Sequence, residues 1–564
     1  MDLGRVAKPR VERPQRKASW TDGYKGMHVS LQQSLSGPYG VQSRSALVEE
    51  IRNMISYQVG TYTNYYDIPF AQRKYILRSF MFLKMKTKPD GSFDKMKARL
   101  VADGKHQNEK LYDLIASAMV SLKGVFLQFN IASYYRAILS SIDITGAFLN
   151  AGFTAQDPTV RVLIDRVTAA QWVNIDPSCA PFLTHKGELV LTLDKFLYGL
   201  KQSPLKFQLH LAAALKEGGY HQLKHDECMF IRRTRNGFCL LSTHVDDILI
   251  VSTSQALVDE LVAHLIATYK KITFHQVADS YLGMTISRSK DLREITITQL
   301  GLTDKIIASY LTPGSSGSRT PANLDLFAYD TSMSDSYDRK QYLSMVMSLM
   351  YLARLTRPDI LLATTYLAGK SQNPTIDDWK RGERVIRYLS STRNHGVKIN
   401  CTDLQVHAYC DASYGSHIDG HSHSGYVISL GRDLSYLSAR SCKQTSTSLS
   451  STDAELIASV SCIRDIKMIT ELLSELDLAR LEPSVLYQDN QSIIVLITRK
   501  AKYKRTKHLL SQLLFAREAV DNGSLLVKWV KTEDMHADAL TKPMAMTSYR
   551  RHISRMGVTE LESV

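Results

Sequence analysis

Cysteine is sparse in this chain of 564 residues. Seven cysteines, at 179, 228, 239, 401, 410, 442 and 462, form no CxxC pair and come in an odd number. That pattern excludes a disulfide framework and a zinc ribbon and suits a reducing compartment. Long apolar runs are also missing, since no window approaches the about 18 consecutive apolar residues of a membrane span. The most apolar stretch, CLLSTHVDDILIVS (239–252), carries two adjacent aspartates at its centre. GxxxxGK, HExxH and GxGxxG are absent, so nucleoside-triphosphatase, metalloprotease and dinucleotide chemistry find no support. Negative charge is in deficit as well. Lys and Arg number 70 against 55 Asp and Glu, a net +15 that favours polyanionic partners.

What is present is globular. Hydrophobic residues make up 44% and charged residues 22%, enough apolar material for three or four ordinary domains. The first 20 residues hold six Lys/Arg and two prolines without an apolar core segment. They fit a disordered basic tail, expected over 1–45, better than a secretory or mitochondrial leader. A Gly/Ser/Pro/Thr-rich stretch at 312–336 suggests a linker. It separates an N-terminal block, 46–311, from a helical segment, 337–397, and a last block, 398–545, followed by a C-terminal tail, 546–564. In the last block the pattern runs as strands (VHAYCDA, SGYVISLG, LSYLSARSC), a long helix, then strand, helix, strand and short helix. The helix follows from Leu456, Val460, Ile463, Ile466, Ile469, Leu473 and Leu476 at three- and four-residue spacing. That order implies a partly parallel α/β sheet.

Two β-type runs flank Asp246 and Asp247, and two adjacent carboxylates inside an apolar segment are costly. An ordinary Asp-containing turn is one explanation; a bound divalent cation is the better one. A third carboxylate ends the apolar strand of SSIDITGAFLNA (140–151) at Asp143. Asp143 with Asp246 would hold two metals about 3.5–4 Å apart, the arrangement used for phosphoryl transfer.

The segments DITGAFLN, FLYGLKQSPLKF (196–207), HVDDILIVS and YLGM (281–284), in this order and spacing, resemble the reverse transcriptase of copia-type LTR retrotransposons. The likeness continues to about Met544. It implies a right-hand polymerase fold of fingers, palm and thumb over 46–311, with Asp143, Asp246 and Asp247 as catalytic carboxylates and Asp143 and Asp246 as principal metal ligands. By the same resemblance Phe148 would select dNTPs over rNTPs, and Lys86, Lys97 and above all Arg99, on a fingers hairpin at 82–107, would hold the triphosphate. Tyr198 would lie near the nucleotide, and Gln202 with Ser203 and Pro204 would shape the template side. His244 departs from the tyrosine usual two residues before the Asp pair.

The last block repeats the logic of distributed acids: Asp411 on a strand, Glu455 near a helix start, Asp489 at a strand end and Asp538 opening the last helix. Four such acids suit hydrolysis of a phosphodiester by a metal-activated water. TRPDI (356–360), SGYVISLG, SLSSTDAE, RTKH (505–508) and ADALTKP (537–543) resemble the ribonuclease H domain that follows the polymerase in the same elements. The resemblance makes all four acids metal ligands and implies degradation of the RNA of an RNA–DNA hybrid. A basic stretch, TRKAKYKRTKH (498–508), would contact phosphates. Leu510 stands where the family has an aspartate after RTKH, His536 is a candidate for assisting product release, and HIDGHSH (417–423) is expected to be an exposed loop.

The fold class expected is therefore α+β and α/β multidomain, a right-hand polymerase followed by a ribonuclease H-like α/β domain. The activity expected is RNA-directed DNA synthesis with ribonuclease H. Mg²⁺ would be the cofactor, two ions per site, with Mn²⁺ an alternative. RNA template, DNA primer, RNA–DNA hybrid and dNTPs would be the partners, with no membrane. Other Pol products such as an integrase are further partners the family implies, and cytoplasmic element particles followed by nuclear delivery are its location. The alternative is a decayed or co-opted nucleic-acid-binding remnant. A nuclease with a dead polymerase would rest on His244 alone.

Overall fold

The computed structural model describes residues 31–87, 93–108, 115–328, 330–431, 433–479, 482–499 and 509–561. These fall into two compact units. One holds the described residues up to Ser117 together with Gly146–His210; the other holds Ala118–Thr145 and the described residues from Leu211 onward.

The first unit is built on a five-stranded sheet in the order Gly60–Thr63, Leu189–Leu193, Arg161–Ile164, Leu77–Thr87, Phe93–Ala102. Its last two strands are the expected fingers hairpin; the Pro-Asp-Gly turn and the side chain of Lys86 lie outside the described residues. Helix Gly40–Ser56 covers the sheet through Leu47, Ile51 and Met54, all fully buried. Its Glu50 carboxylate accepts the Leu100 backbone N–H at 3.0 Å. The helices Leu31–Ser36 and Gly40–Ser56 correct the expected tail, because most of residues 31–45 is helical. Basic composition near the start masked the apolar spacing that pins this helix to the sheet.

The second unit carries three sheets. A six-stranded antiparallel sheet has the order Ile272–His275, Ile138–Ile144, Asp247–Ser252, Gly237–His244, Met229–Thr234, His221–Gln222. Its central strands are buried along nearly their whole length, with helices Leu122–Tyr135 and Gln255–Thr268 packed against them. From the first of these helices the buried Gln128 donates to the carbonyls of Leu240 and Leu249 at 2.9 and 3.1 Å.

The last sheet has the order Ser435–Lys443, His423–Leu430, Val406–Ser413, Ser484–Gln488, Leu525–Trp529. Its first three strands are antiparallel, and the last two run parallel to the central one. Helix Ser451–Glu475, capped by Ser450, makes the crossover between the third and fourth strands in sequence. This is the ribonuclease H-like α/β order expected from the sequence.

Phe126 meets Tyr436 edge-on at 5.3 Å, and Asn130 donates to the Tyr436 carbonyl at 3.0 Å, so the helix beside the first sheet packs against the last. Residues 312–336, expected as a linker, bury Thr320, Ala322, Leu326, Phe327 and Thr331. The expected C-terminal tail is instead a helix, Met546–Arg555, and a strand, Val558–Glu560, that pairs with His395–Ile399. Tyr549, Ile553 and Met556, at spacings of four and three, face inward. Composition suggested a linker only for 312–336, where Leu326 and Phe327 are buried without a helix, whereas in the last segment apolar residues at helical spacing tie the helix down.

Candidate active sites

The hairpin that carries the paired aspartates has a two-residue turn, Val245–Asp246, between strands Gly237–His244 and Asp247–Ser252. Val245 sits at φ 57°, the left-handed region, where a β-branched side chain is strained by about 1–3 kcal/mol. The neighbouring strand places Asp143 directly opposite Asp247, and the Ile144 N–H donates to the Asp246 carbonyl at 2.9 Å. Asp143, distant in sequence, thus joins the adjacent Asp246 and Asp247 at one end of one sheet. Like charges directly opposed across a ladder repel. Burial, then Asp246 and Asp143, push the Asp247 carboxyl up to about 6. Burial lowers the His244 imidazole, with Asp246 pulling the other way.

In the first unit, Phe148 lies in the short helix Ala147–Asn150 that follows Gly146, itself left-handed at φ 67°. Its ring meets Tyr198 edge-on at 4.9 Å, and the Arg99 guanidinium lies over the other ring at 4.8 Å. Phe148, Tyr198 and Arg99 are therefore one contiguous group, and the buried Arg99 Nε has no hydrogen-bond partner. Lys97 is exposed on the same strand. Gln202 is buried, and its Oε1 accepts from Gln107 Nε2 at 2.6 Å. Gln107 Oε1 in turn accepts the Lys201 N–H at 3.1 Å. Gln202 therefore braces a loop from inside.

The acids of the last block converge more tightly. Asp411 is near the end of strand Val406–Ser413, Glu455 in the second turn of helix Ser451–Glu475, and Asp489 one residue past strand Ser484–Gln488. Each offers a carboxylate oxygen, and the three lie within 4.8 Å of one another, the one such group of three among the described residues. Glu455 is buried; one carboxylate oxygen takes the Ala412 N–H, while Oε2 has no partner. Burial, then Asp411, Cys410 and Asp489, hold its carboxyl well above the usual range. Three converging carboxylates with an unsatisfied buried oxygen fit a divalent cation, which would lift the mutual repulsion.

Asp538 comes from a short turn, His536–Leu540, laid on the sheet beside Asp411. Burial and Asp411 push it up to about 7 against the pull of Lys542. The close approach depends on Gly425, the residue opposite Asp411 in the ladder. A Cβ at Gly425 would stand 2.6 Å from Thr541 Cγ2 and 2.8 Å from Leu540 Cβ.

Residues 65–323 match the reverse transcriptase (RNA-dependent DNA polymerase) family. Over 515 residues the chain is 29% identical to the retrovirus-related Pol polyprotein from transposon RE1 of Arabidopsis thaliana, covering 90% of this chain and 33% of that protein. The Pol polyprotein from transposon TNT 1-94 of Nicotiana tabacum is 27% identical, covering 91% and 37%. The chain is similar to copia-type retrotransposon Pol polyproteins over most of its length. It spans about a third of the length of these two relatives. A putative Ty5-1 transposon protein of Saccharomyces cerevisiae is 28% identical over 48% of this chain and 87% of its own length. Among solved structures, a foamy viral protease-reverse transcriptase in complex with double-stranded DNA aligns with TM-score 0.49 at 14% identity, over 87% of this chain and 70% of that one.

Several residues of this Pol-like chain escaped the sequence reading. Lys542 Nζ lies 3.0 Å from Asp538 and 3.8 Å from Asp411, and Thr541 Oγ1 donates to Asp411 Oδ2. The i,i+4 spacing of Asp538 and Lys542 was the available signal; Thr541 and Gly425 had none.

Other readings change. His423 is fully buried in a strand, bonded to Ser441 at 2.7 Å and His417 at 3.0 Å, so the HIDGHSH segment is not simply an exposed loop. Burial takes His423 down to about 3 and His417 to about 4. His536 is buried against Tyr409, 4.3 Å between rings, and is held neutral down to about 4. His508 and most of the basic stretch 498–508 lie outside the described residues.

Proposed function

We propose that this chain is an RNA-directed DNA polymerase with an associated ribonuclease H. It would copy element RNA into DNA and remove the RNA of the resulting hybrid. The observation that carries the reading is the convergence of Asp411, Glu455 and Asp489, with a buried carboxylate oxygen left unsatisfied, on a sheet of ribonuclease H-like order. A second carboxylate set, at the end of the other sheet, has the residues that the reverse transcriptase resemblance requires.

Divalent cations, when bound, would activate the attacking oxygen and offset charge on the leaving group. Asp143 and Asp246 would hold them in the polymerase, and Asp411, Glu455, Asp489 and Asp538 in the nuclease. The chain's own part is positional. The strained Val245 turn fixes the direction of the Asp246 and Asp247 side chains. Arg99, set on Tyr198, would meet a triphosphate, and Phe148 against the same tyrosine would exclude a 2′-hydroxyl. In the nuclease, Thr541 orients Asp411, while the Ala412 N–H holds one oxygen of Glu455 and turns the other toward the site. The net charge of +15 would draw both nucleic acid strands in.

The test is primer extension on an end-labelled RNA template with a DNA primer, dNTPs and Mg²⁺, following both strands. The wild-type chain should lengthen the primer and shorten the RNA. Asp246→Asn should stop only the first, and Asp489→Asn only the second. If neither strand changes in Mg²⁺ or Mn²⁺ while the hybrid still shifts on a gel, the chain is a nucleic-acid-binding remnant and the enzyme reading fails.

A further inference from the structure

The four nuclease acids are not equivalent. Asp411, Glu455 and Asp489 each bring a carboxylate oxygen within 4.8 Å of the others, and the buried Glu455 Oε2 has no hydrogen-bond partner. Asp538 Oδ1 likewise makes no hydrogen bond of good geometry, but it has an ion-pair partner. Lys542 Nζ is 3.0 Å from its Oδ1 and reaches on to Asp411 Oδ2 at 3.8 Å.

The ammonium is held there by the backbone. The Thr541 and Lys542 N–H groups both return to the Asp538 carbonyl, at 3.1 and 3.0 Å, closing a turn that sets Lys542 above Asp538. Thr541 fixes the Asp411 oxygen that Lys542 approaches. The Lys542 side chain is 39% exposed, so its flexible stem has a path into solvent.

We infer that Lys542 is a resident cation of the nuclease site, occupying between Asp411 and Asp538 the place a second divalent ion would take. The metal-free chain then offers one ready cation site, made by Asp411, Glu455 and Asp489, and one that opens only when Lys542 is displaced. Such an arrangement favours filling the second site when a phosphodiester arrives, because its phosphate offers the displaced ammonium an alternative partner. The idea rests on the nuclease reading above and concerns how that site is loaded.

The test counts Mn²⁺ bound to the full chain by electron paramagnetic resonance, at fixed pH and without nucleic acid. Asp143→Asn and Asp246→Asn are present throughout to silence the polymerase carboxylates. With Lys542 in place, one ion should bind readily and a second only at much higher concentration. Lys542→Met should raise the second affinity by roughly tenfold or more, the effect of removing a unit positive charge a few ångströms away. Lys542→Arg should keep it low, and Lys542→Gln replaces the Met variant should that one fail to fold. An unchanged or weaker second affinity in the uncharged variants overturns the inference. Asp489→Asn separates the two levels. If it abolishes the first ion, the nuclease site stands whatever Lys542 does; if no bound ion depends on Asp489, both readings fall.

Discussion

Replacing Asp538 by asparagine should stabilise the metal-free nuclease domain at alkaline pH and not at acid pH. Asp538 is buried beside Asp411, and its carboxyl is displaced from the ordinary 3.8 to about 7. Below about pH 4 folded and unfolded chains both carry the proton. Between about pH 4 and 7 the folded chain keeps a proton that the unfolded chain has released, so stability falls as pH rises. Above pH 7 the penalty is complete. At about 1.4 kcal/mol per pH unit the displacement gives a ceiling of ~4 kcal/mol. The rim of the site is open to water at Lys542, 39% exposed, which screens part of it; about 2 kcal/mol is the expected size.

The assay is hydrogen exchange of the buried amides in strand Val406–Ser413, with chelator, at pH 5.5 and 8.0. The stability of Asp538→Asn minus that of wild type should grow by about 1 kcal/mol between the two pH values, since roughly half of the penalty is already present at pH 5.5. Buried His417 and His423, held neutral in the fold, contribute the opposite slope below their ordinary range. Both remain in both proteins and cancel in the difference. Mg²⁺ at pH 8.0 should close most of the gap by stabilising wild type alone. A difference that does not change with pH, or that grows toward acid, would refute the electrostatic account of the site.

Three further changes probe other parts of the structure. Gly425→Ala forces a Cβ to 2.6 Å from Thr541 Cγ2 and should push the Asp538–Lys542 turn off the sheet. RNA cleavage should fall on the order of 10–100-fold while primer extension holds; equal loss of both activities would point to general unfolding instead. Arg357→Met leaves Asp359, fully buried at 2.7 Å from the lost guanidinium, without its partner. The opening free energy of the surrounding helices should drop by about 3–5 kcal/mol, and a drop under about 1 kcal/mol, the size of a surface pair, would show the pair to be dispensable. Phe148→Val shortens the side chain set against Tyr198 and should relax discrimination against ribonucleotides by roughly tenfold or more, measured as the ratio of dNTP to rNTP incorporation. An unchanged ratio would assign Phe148 to packing alone.

The expected elements that lie on strong periodicity match closely what forms. The long nuclease helix runs Ser451–Glu475, and the paired-aspartate hairpin has its strands at Gly237–His244 and Asp247–Ser252. Where composition was the guide, the outcome differs. The Ser/Gly/Pro-rich 312–336 is packed down by Leu326 and Phe327, and the last residues end as a strand beside His395–Ile399. Tyr549 lies in that segment, and its hydroxyl donates to the Asp359 carbonyl at 2.5 Å, a contact across 190 positions.

By itself the sequence determined which acids exist, which local element carries each and, through the order of its motifs, the family it resembles. Those properties depend on residues near one another along the chain. Only the tertiary structure decided how the acids differ. Asp538 is paired with Lys542, Glu455 keeps an unpartnered buried oxygen, and Gln202 turns inward. Burial and charge at a site are sums over groups brought together from distant positions. Gly425, whose missing side chain lets Leu540 and Thr541 settle across from Asp411, is visible only once those strands and that turn are in place.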